Sequence, residues 1–293
     1  MRKLAFLSMD NMNDFVSDDE LAIEPLRQLG WDVETISWRQ PQNWQQYEMV
    51  IIRTPWDYQN DAGAFLKTLE QIAASGAQLH NNLETVRWNI AKTYLRDLEN
   101  RGNRIVPTIW KNGNIAKDSA VSAFTTFDSE EIIIKPVISA NADNTFRLRP
   151  DQIDAFFPQL QNIFSHRPFM IQPFLKNVIS EGEFSLFYFG GEYSHTILKT
   201  PKTGDFRVQE EHGGIITAVQ PSAGLKAQAD AAIGSLPEPL LYARIDFVRL
   251  SGDHFAIMEM ELIEPALYFR MDEPSAARFA KTVASWLDNR SLR

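Results

Sequence analysis

Arg244, Asp246, Glu259 and Glu261 stand inside apolar runs, in the stretch 240–267, LLYARIDFVRLSGDHFAIMEMELIEPAL. The runs flank Ser251-Gly252-Asp253, a spacing that predicts a hairpin. Side chains alternate across a strand, so Tyr242, Arg244, Asp246 and Val248 are expected on one face, and Phe255, Ile257, Glu259, Glu261 and Ile263 on one face of the partner. Both faces then mix charge with large apolar residues, although burying an unpaired carboxylate costs several kcal/mol or shifts its pKa. A bound cation removes the conflict. Asp246, Glu259 and Glu261 offer hard oxygen ligands suited to Mg2+, which commonly takes carboxylates together with substrate phosphates. Arg244 beside them suits a phosphate or a developing oxyanion. The competing reading is an edge hairpin carrying surface ion pairs.

Other cations fall at places where chemistry is expected. Lys135 ends the apolar strand Glu131–Ile134, just before the small-residue segment 137–145, which suits a phosphate; strands also end in lysine because solvent begins there. Lys199 closes a hairpin formed by 183–189 and 193–200 around Gly190-Gly191. Arg207 lies in a long polar loop, 203–214, and loops of that length in a compact domain are more often functional than idle. Arg53, Trp56, Asp57 and Tyr58 offer a guanidinium, an indole, a carboxylate and a phenol at the end of a strand, a set able to grip a zwitterion such as an amino acid. The alternative is that Trp56 and Tyr58 cap the core while Arg53 pairs with Asp57. Lys92 falls in the middle of a helix expected over 84–100 from the spacing of Val86, Ile90, Tyr94, Leu95 and Leu98, where a lone lysine is usually solvated.

These residues need a scaffold, and 293 residues with 44% hydrophobic content can bury a sizeable core, with length favouring roughly two domains. Strands at 3–8, 33–38, 49–53 and 77–79 alternate with helices, including one through Leu21, Ile23, Leu26 and Leu29 that Gly30 ends, which predicts a parallel α/β unit. Ligands gather at the carboxyl ends of such strands. No Gly-rich phosphate fingerprint follows the first strand, which argues against a dinucleotide site there. A net charge of −9 argues against nucleic-acid and anionic-membrane partners and favours a small polar ligand. The absence of cysteine excludes disulfides and thiolate chemistry, and the five histidines show no metal-ligand spacing. With no apolar run of about 18 residues and no signal-peptide pattern, a cytoplasmic protein is expected.

Taken in order, Lys92, Lys135, the segment Gln172–Leu175, Glu183, Lys199, Arg207, Arg244, Asp246, Glu259 and Glu261 resemble the ATP-grasp carboxylate–amine ligases. The likeness covers nearly the whole chain. It is strongest to the branch with glutathione-synthetase-like ATP-binding domains, which includes a cycloserine-forming cyclo-ligase, in RTPWDYQ, VRWNIAKTYL, IIIKPVISA, EGEFSLFYFGGEYSHTILK, GDFRVQEEHGG and MEMELIEPALYFR. The resemblance implies an α/β and α+β fold with three units: an N-terminal parallel α/β domain on the substrate side (1–83), a central ATP-grasp subdomain (84–175) and a C-terminal subdomain with the metal site (176–293).

It further implies ATP and Mg2+ as cofactors. Lys92 and Lys135 would hold the α- and β-phosphates, backbone groups around Gln172, Phe174 and Leu175 the adenine edge, and Glu183 the ribose hydroxyls, unless Glu183 orients a lysine instead. Lys199 would neutralise phosphate, Arg207 and Arg244 would stabilise the acyl phosphate and the tetrahedral state, and Asp246, Glu259 and Glu261 would carry Mg2+. Two departures stand out. The 137–145 loop has no glycine, so Ser139, Asn141, Asn144 or Thr145 would have to serve as donors, and Glu261 replaces the customary asparagine. The expected reaction is activation of a carboxylate as acyl phosphate followed by attack of a nitrogen from the same or a second molecule. An ATP-binding protein without turnover and a substrate kinase remain as alternatives. Dimers are frequent among similar ligases, so a homodimer is an expected assembly, although the residues themselves are silent on it.

Overall fold

The strand–helix alternation near the N-terminus builds a parallel sheet. The computed structural model describes residues 1–139 and 142–290, without the side chains of 288–290; Asn141 therefore lies outside the described residues. Strands β1 (Arg2–Ser8), β2 (Trp31–Ser37), β3 (Met49–Thr54) and β4 (Gln78–His80) run in the order β2-β1-β3-β4. Between them lie helices α1 (Glu20–Gln28) and α2 (Ala62–Ala74). Ala5, Leu7, Val50 and Ile52 pack with Phe65, Leu69 and Ile72 of α2, while Leu4, Phe6, Met49 and Ile51 pack on the opposite side with Ala22 and Leu26 of α1. Helix α1 thus buries a narrow stripe, and Leu21 and Leu29, although part of its apolar spacing, are each 45% exposed.

The helix expected over 84–100 is two, α3 (Leu83–Asn89) and α4 (Tyr94–Asn100). The Lys92 N–H donates to the Val137 carbonyl at 2.7 Å rather than up a helix, so the ladder is interrupted there. Lys92 consequently sits in the break and not on a solvated helical face.

The second sheet is antiparallel: β5 (Ile109–Lys111), β6 (Ile132–Pro136), β7 (Phe146–Leu148) and β8 (Phe169–Pro173), ordered β5-β8-β6-β7. Ile132, Ile134 and Ile171 pack under α5 (Lys117–Phe127) and α6 (Ile153–Phe164). Period-2 alternation turns Ile133, Lys135 and Gln172 to the other face, where they line a cavity. The loop before β7 makes tight turns without glycine by placing Ala142 and Asn144 at positive φ, 56° and 52°.

After the short α7 (Asn177–Ser180), the third sheet is antiparallel throughout, in the order β11-β10-β9-β12-β13. Its strands are β9 (Glu183–Phe189), β10 (Glu192–Thr200), β11 (Ile215–Ala218), β12 (Tyr242–Ser251) and β13 (His254–Glu261), with α8 (Ala223–Gly234) beneath it. The pairing of β12 with β13 corrects the expected alternation. Phe247 faces Ile257, but Asp246 faces Glu259 and Arg244 faces Glu261, so Met258 is an extra residue on β13. This bulge shifts the alternation by one. Phe255, Ile257, Met260 and Leu262 all enter the core with α8, and Glu259 and Glu261 are turned to the opposite face with Asp246 and Arg244. Ile257 and Glu259 do not share a face.

Strand β13 is an edge, yet its backbone is not open. Asn89 donates to the Met260 carbonyl (2.8 Å) and accepts from Leu262 N–H (3.0 Å), Tyr94 Oη accepts from Met260 N–H (2.8 Å), and Ile257 exchanges bonds with Arg104 and Val106. The closing helix α9 (Ser275–Arg290) returns to the N-terminal sheet: Phe279 and Val283 pack with Leu4 and Phe6 on one side and with Phe187 and Phe189 on the other. Asn81, just past β4, bonds the carbonyls of Tyr242 (2.9 Å) and Leu262 (2.6 Å) and the N–H of Leu241 (2.9 Å). The three sheets are thereby held around one cavity.

Candidate active site

The cavity floor is the upper face of β9, β10, β12 and β13. Glu183 faces Lys199, and Ser185, Asp246 and Glu259 line up across three strands. Lys199 pairs with Glu183 and lies 3.1 Å from Asp246; Arg244 lies 3.0 Å from Asp246 and also pairs with Glu261. From the opposite wall, Lys92 and Lys135 reach Glu259 at 3.3 and 3.2 Å. The clamp of Asn89 and Tyr94 on β13 explains this meeting, because it fixes both ends of the break that holds Lys92. Gly182 has to be glycine for the floor to close: at φ +117°, a Cβ there would lie 2.6 Å from the Lys199 carbonyl.

Four carboxylates thus face four cations in a largely buried setting, and their ionisation follows from that balance. Burial opposes the charge on Glu259, but Lys92 and Lys135 outweigh it and bring its carboxyl down to about 2. Burial likewise opposes Asp246, and Arg244 and Lys199 hold it well below the usual carboxylate range. Glu183 goes the other way: burial, against the pull of Lys199, pushes it up to about 7. Glu261 is also raised by burial, in spite of Arg244. Lys135 is lowered by burial although Glu259 supports its charge.

The remaining expected residues are distributed less evenly. Phe174 lines the cavity with the Arg147 guanidinium 3.8 Å over its ring and Phe206 edge-on at 6.1 Å. The Phe174 N–H is committed to the Glu131 carbonyl, and the Gln172 amide donates to Thr108, so those two donors are already engaged; Leu175 lines the cavity wall. Arg207 lines the cavity too, held by Asp205 at 2.8 Å.

The segment 53–58 divides. Trp56 and Tyr58 line the cavity. Arg53 does not grip anything there: it is 1% exposed, bonded to Asp19 at 3.0 Å and to the Pro265 carbonyl at 2.8 Å, because the turn after β13 runs across the end of β3. Asp57 is taken by Trp38 Nε1 (2.8 Å) and by Arg39, away from Arg53 and from the cavity. The sequence reading passed over Glu264, a cavity residue that stands three positions after Glu261 and directly before Pro265, a spacing that extends the acidic series past the strand end. Arg147, which covers the Phe174 ring, gives no local signal.

Among the described residues, no three histidine, cysteine, aspartate or glutamate side chains converge closely enough to hold a metal ion. The carboxylates are instead spread over Lys92, Lys135, Lys199 and Arg244. No helix among them is long and apolar enough to cross a membrane.

Comparison with known proteins places this geometry. Residues 4–81 match the family described as D-cycloserine synthetase DcsG, N-terminal domain. The cycloserine biosynthesis protein DcsG of Streptomyces lavendulae is 28% identical over 279 residues, covering 90% of this chain and 92% of that one. The crystal structure of D-cycloserine synthetase DcsG superposes with a TM-score of 0.86 at 26% identity, covering 97% of this chain and 99% of the other. In sequence and in fold the chain is similar to D-cycloserine synthetase. The fold is shared more widely: D-alanine–D-alanine ligase from Bacillus anthracis, 13% identical, superposes with a TM-score of 0.66 over 98% of this chain and 97% of that one. This similarity supports ATP-dependent carboxylate–amine ligation.

Proposed function

We propose that the ligase activates the carboxylate of an amino-acid-like substrate as an acyl phosphate and closes it onto a nitrogen of the same molecule, giving a cyclic amide with ADP and phosphate. The observation that carries this reading is the convergence of Lys92, Lys135, Lys199 and Arg244 on one cavity, each held in place by a carboxylate. The similarity to a synthetase named for cycloserine supports ring closure over joining of two molecules. We divide the chain into units 1–83, 84–175 and 176–293, a reading supported by the succession of three sheets along the chain.

In this reading Lys92 and Lys135 hold the α- and β-phosphates of ATP, Lys199 neutralises the transferred phosphoryl group, and Arg244 with Arg207 steadies the acyl phosphate and the oxyanion that follows. Phe174, Leu175 and the Gln172 end of β8 form the adenine wall. Glu183 orients Lys199 in the described state, the second of the two roles expected for it.

The donor set fits Mg2+. Asp246, Glu259 and Glu261 supply only hard oxygens, and Mg2+ needs one or two carboxylates plus phosphates, so a preformed three-carboxylate cage is not required. Bound there, Mg2+ would offset phosphate charge and polarise the phosphoryl group. The protein contributes position and exclusion of water and no covalent nucleophile.

The test is nucleotide release from protein supplied with ATP and Mg2+ over a panel of amino acids, dipeptides, ureido amino acids and aminooxy amino acids, with mass spectrometry of products. ADP and phosphate together with a product one water lighter than a single substrate support ring closure; two substrates joined identify an intermolecular ligase. AMP and pyrophosphate overturn the acyl-phosphate route, and a stable phosphorylated product identifies a kinase.

A further inference from the structure

We infer that Glu264, together with Tyr58, forms a subsite that takes a positively charged amino group of the substrate. The inference rests on the amino-acid ligase reading and adds to it the group that is recognised. Glu183, Asp246, Glu259 and Glu261 each have a lysine or arginine within ion-pair distance. Glu264 lines the same cavity, is only partly exposed, and has no such partner among the described residues.

Its position is nevertheless fixed. Trp56 Nε1 donates to the Glu264 carbonyl (2.8 Å), Arg53 to the Pro265 carbonyl (2.8 Å), and Arg244 Nη1 approaches the Ala266 carbonyl (3.4 Å). Three successive carbonyls are thus held by side chains from β3, the loop after it and β12. A carboxylate pinned so firmly, with no cation of its own, is organised for one that arrives with the ligand.

The surroundings suit an ammonium group. The Tyr58 hydroxyl donates to the Glu264 carboxyl. The Trp56 and Tyr58 rings wall the space, and aromatic faces favour cations. Burial and then the charge of Glu261 push the Glu264 carboxyl up to about 8, and a bound cation would counter both effects. With the lysines and Arg244 on the rest of the lining drawing the substrate carboxylate and phosphate, the two ends of a zwitterion are told apart by charge alone.

The experiment compares wild type with Glu264→Gln on amino acids paired with their des-amino counterparts: alanine with propanoate, serine with 3-hydroxypropanoate, and 3-aminooxyalanine with 3-aminooxypropanoate. ADP release at saturating Mg-ATP is the readout. Wild type is expected to prefer the amino acid by at least ~100-fold in kcat/KM, and the variant to reduce that preference to less than about 10-fold through KM for the amino acid, with KM for ATP unchanged. A preference kept by the variant, or absent in wild type, overturns the subsite.

Wild-type protein inactive on the whole panel contradicts the ligase reading instead, and a second arm then decides the subsite. Crystals equilibrated with thallium(I) acetate, whose cation is close to ammonium in size, should show an anomalous peak at the Glu264 carboxylate. Wild-type density without a cation there overturns the proposal.

Discussion

Lys92 and Glu259, 167 positions apart in the chain, meet at 3.3 Å, and the same carboxylate also receives Lys135. One carboxylate therefore holds together two lysines from different walls of the cavity. In the proposed reading phosphate competes for both ammonium groups, so nucleotide binding would release Glu259 toward the cation that accompanies the phosphates.

Glu259→Gln should lower turnover by ~10²–10³ or more while leaving the fold intact, because it removes the charge expected to meet the metal ion at the phosphates, although Lys92 and Lys135 also lose a counter-ion. ADP release and circular dichroism check the two halves of this expectation. Near-wild-type turnover removes Glu259 from the reacting centre.

Lys199→Met leaves Glu183 and Asp246 buried with one cation fewer, and should destabilise the protein by about 3 kcal/mol. Urea unfolding of the single variant and of Lys199→Met with Glu183→Gln measures it. The double variant should recover part of the loss, since its glutamine needs no counter-ion.

Glu264 makes a pH-dependent contribution. Its folded pKa of about 8 lies above the ordinary 4.5, so the native state holds the proton more tightly and the contribution is complete below about 4.5 and lost as pH rises toward 8. Glu264→Gln lacks that loss. Its stability relative to wild type should improve by on the order of 2 kcal/mol between pH 5 and pH 8.5, read from urea midpoints; no relative change contradicts the raised carboxyl.

Arg53→Met should cost roughly 3 kcal/mol and lower Tm accordingly, because Asp19 and the Pro265 carbonyl lose a buried partner. An unchanged Tm with a raised KM for the amino acid would instead put Arg53 against substrate.

What could be seen in the sequence was whatever local pattern determines. The parallel N-terminal sheet, the hairpin around Gly190-Gly191 and the β12–β13 pairing follow from alternation and turn residues, and the structure has them. Lys135, Lys199, Arg244, Asp246, Glu259 and Glu261 could be picked out because charge inside an apolar strand is conspicuous. Lys92 could not be recognised by periodicity, since the helix break depends on a hydrogen bond to Val137 that no local pattern encodes. Arg53 looked like a substrate ligand for the same reason that it is a good strut: a guanidinium at a strand end suits any carboxylate or carbonyl brought to it. Glu264 passed unnoticed because its missing counter-ion is a property of the assembled cavity.

The bulge at Met258 sets the phase of everything beyond it. Met258 lies partly exposed at the cavity rim, where other side chains of similar size can be accommodated. Were the strand to run through Met258 in plain alternation, Met260 and Leu262 would be turned out and the two acids driven into the oily side beneath. Losing the residue altogether would instead join Ile257 to Glu259 and leave both acids on the cavity side, so the kink is needed only because the residue is there.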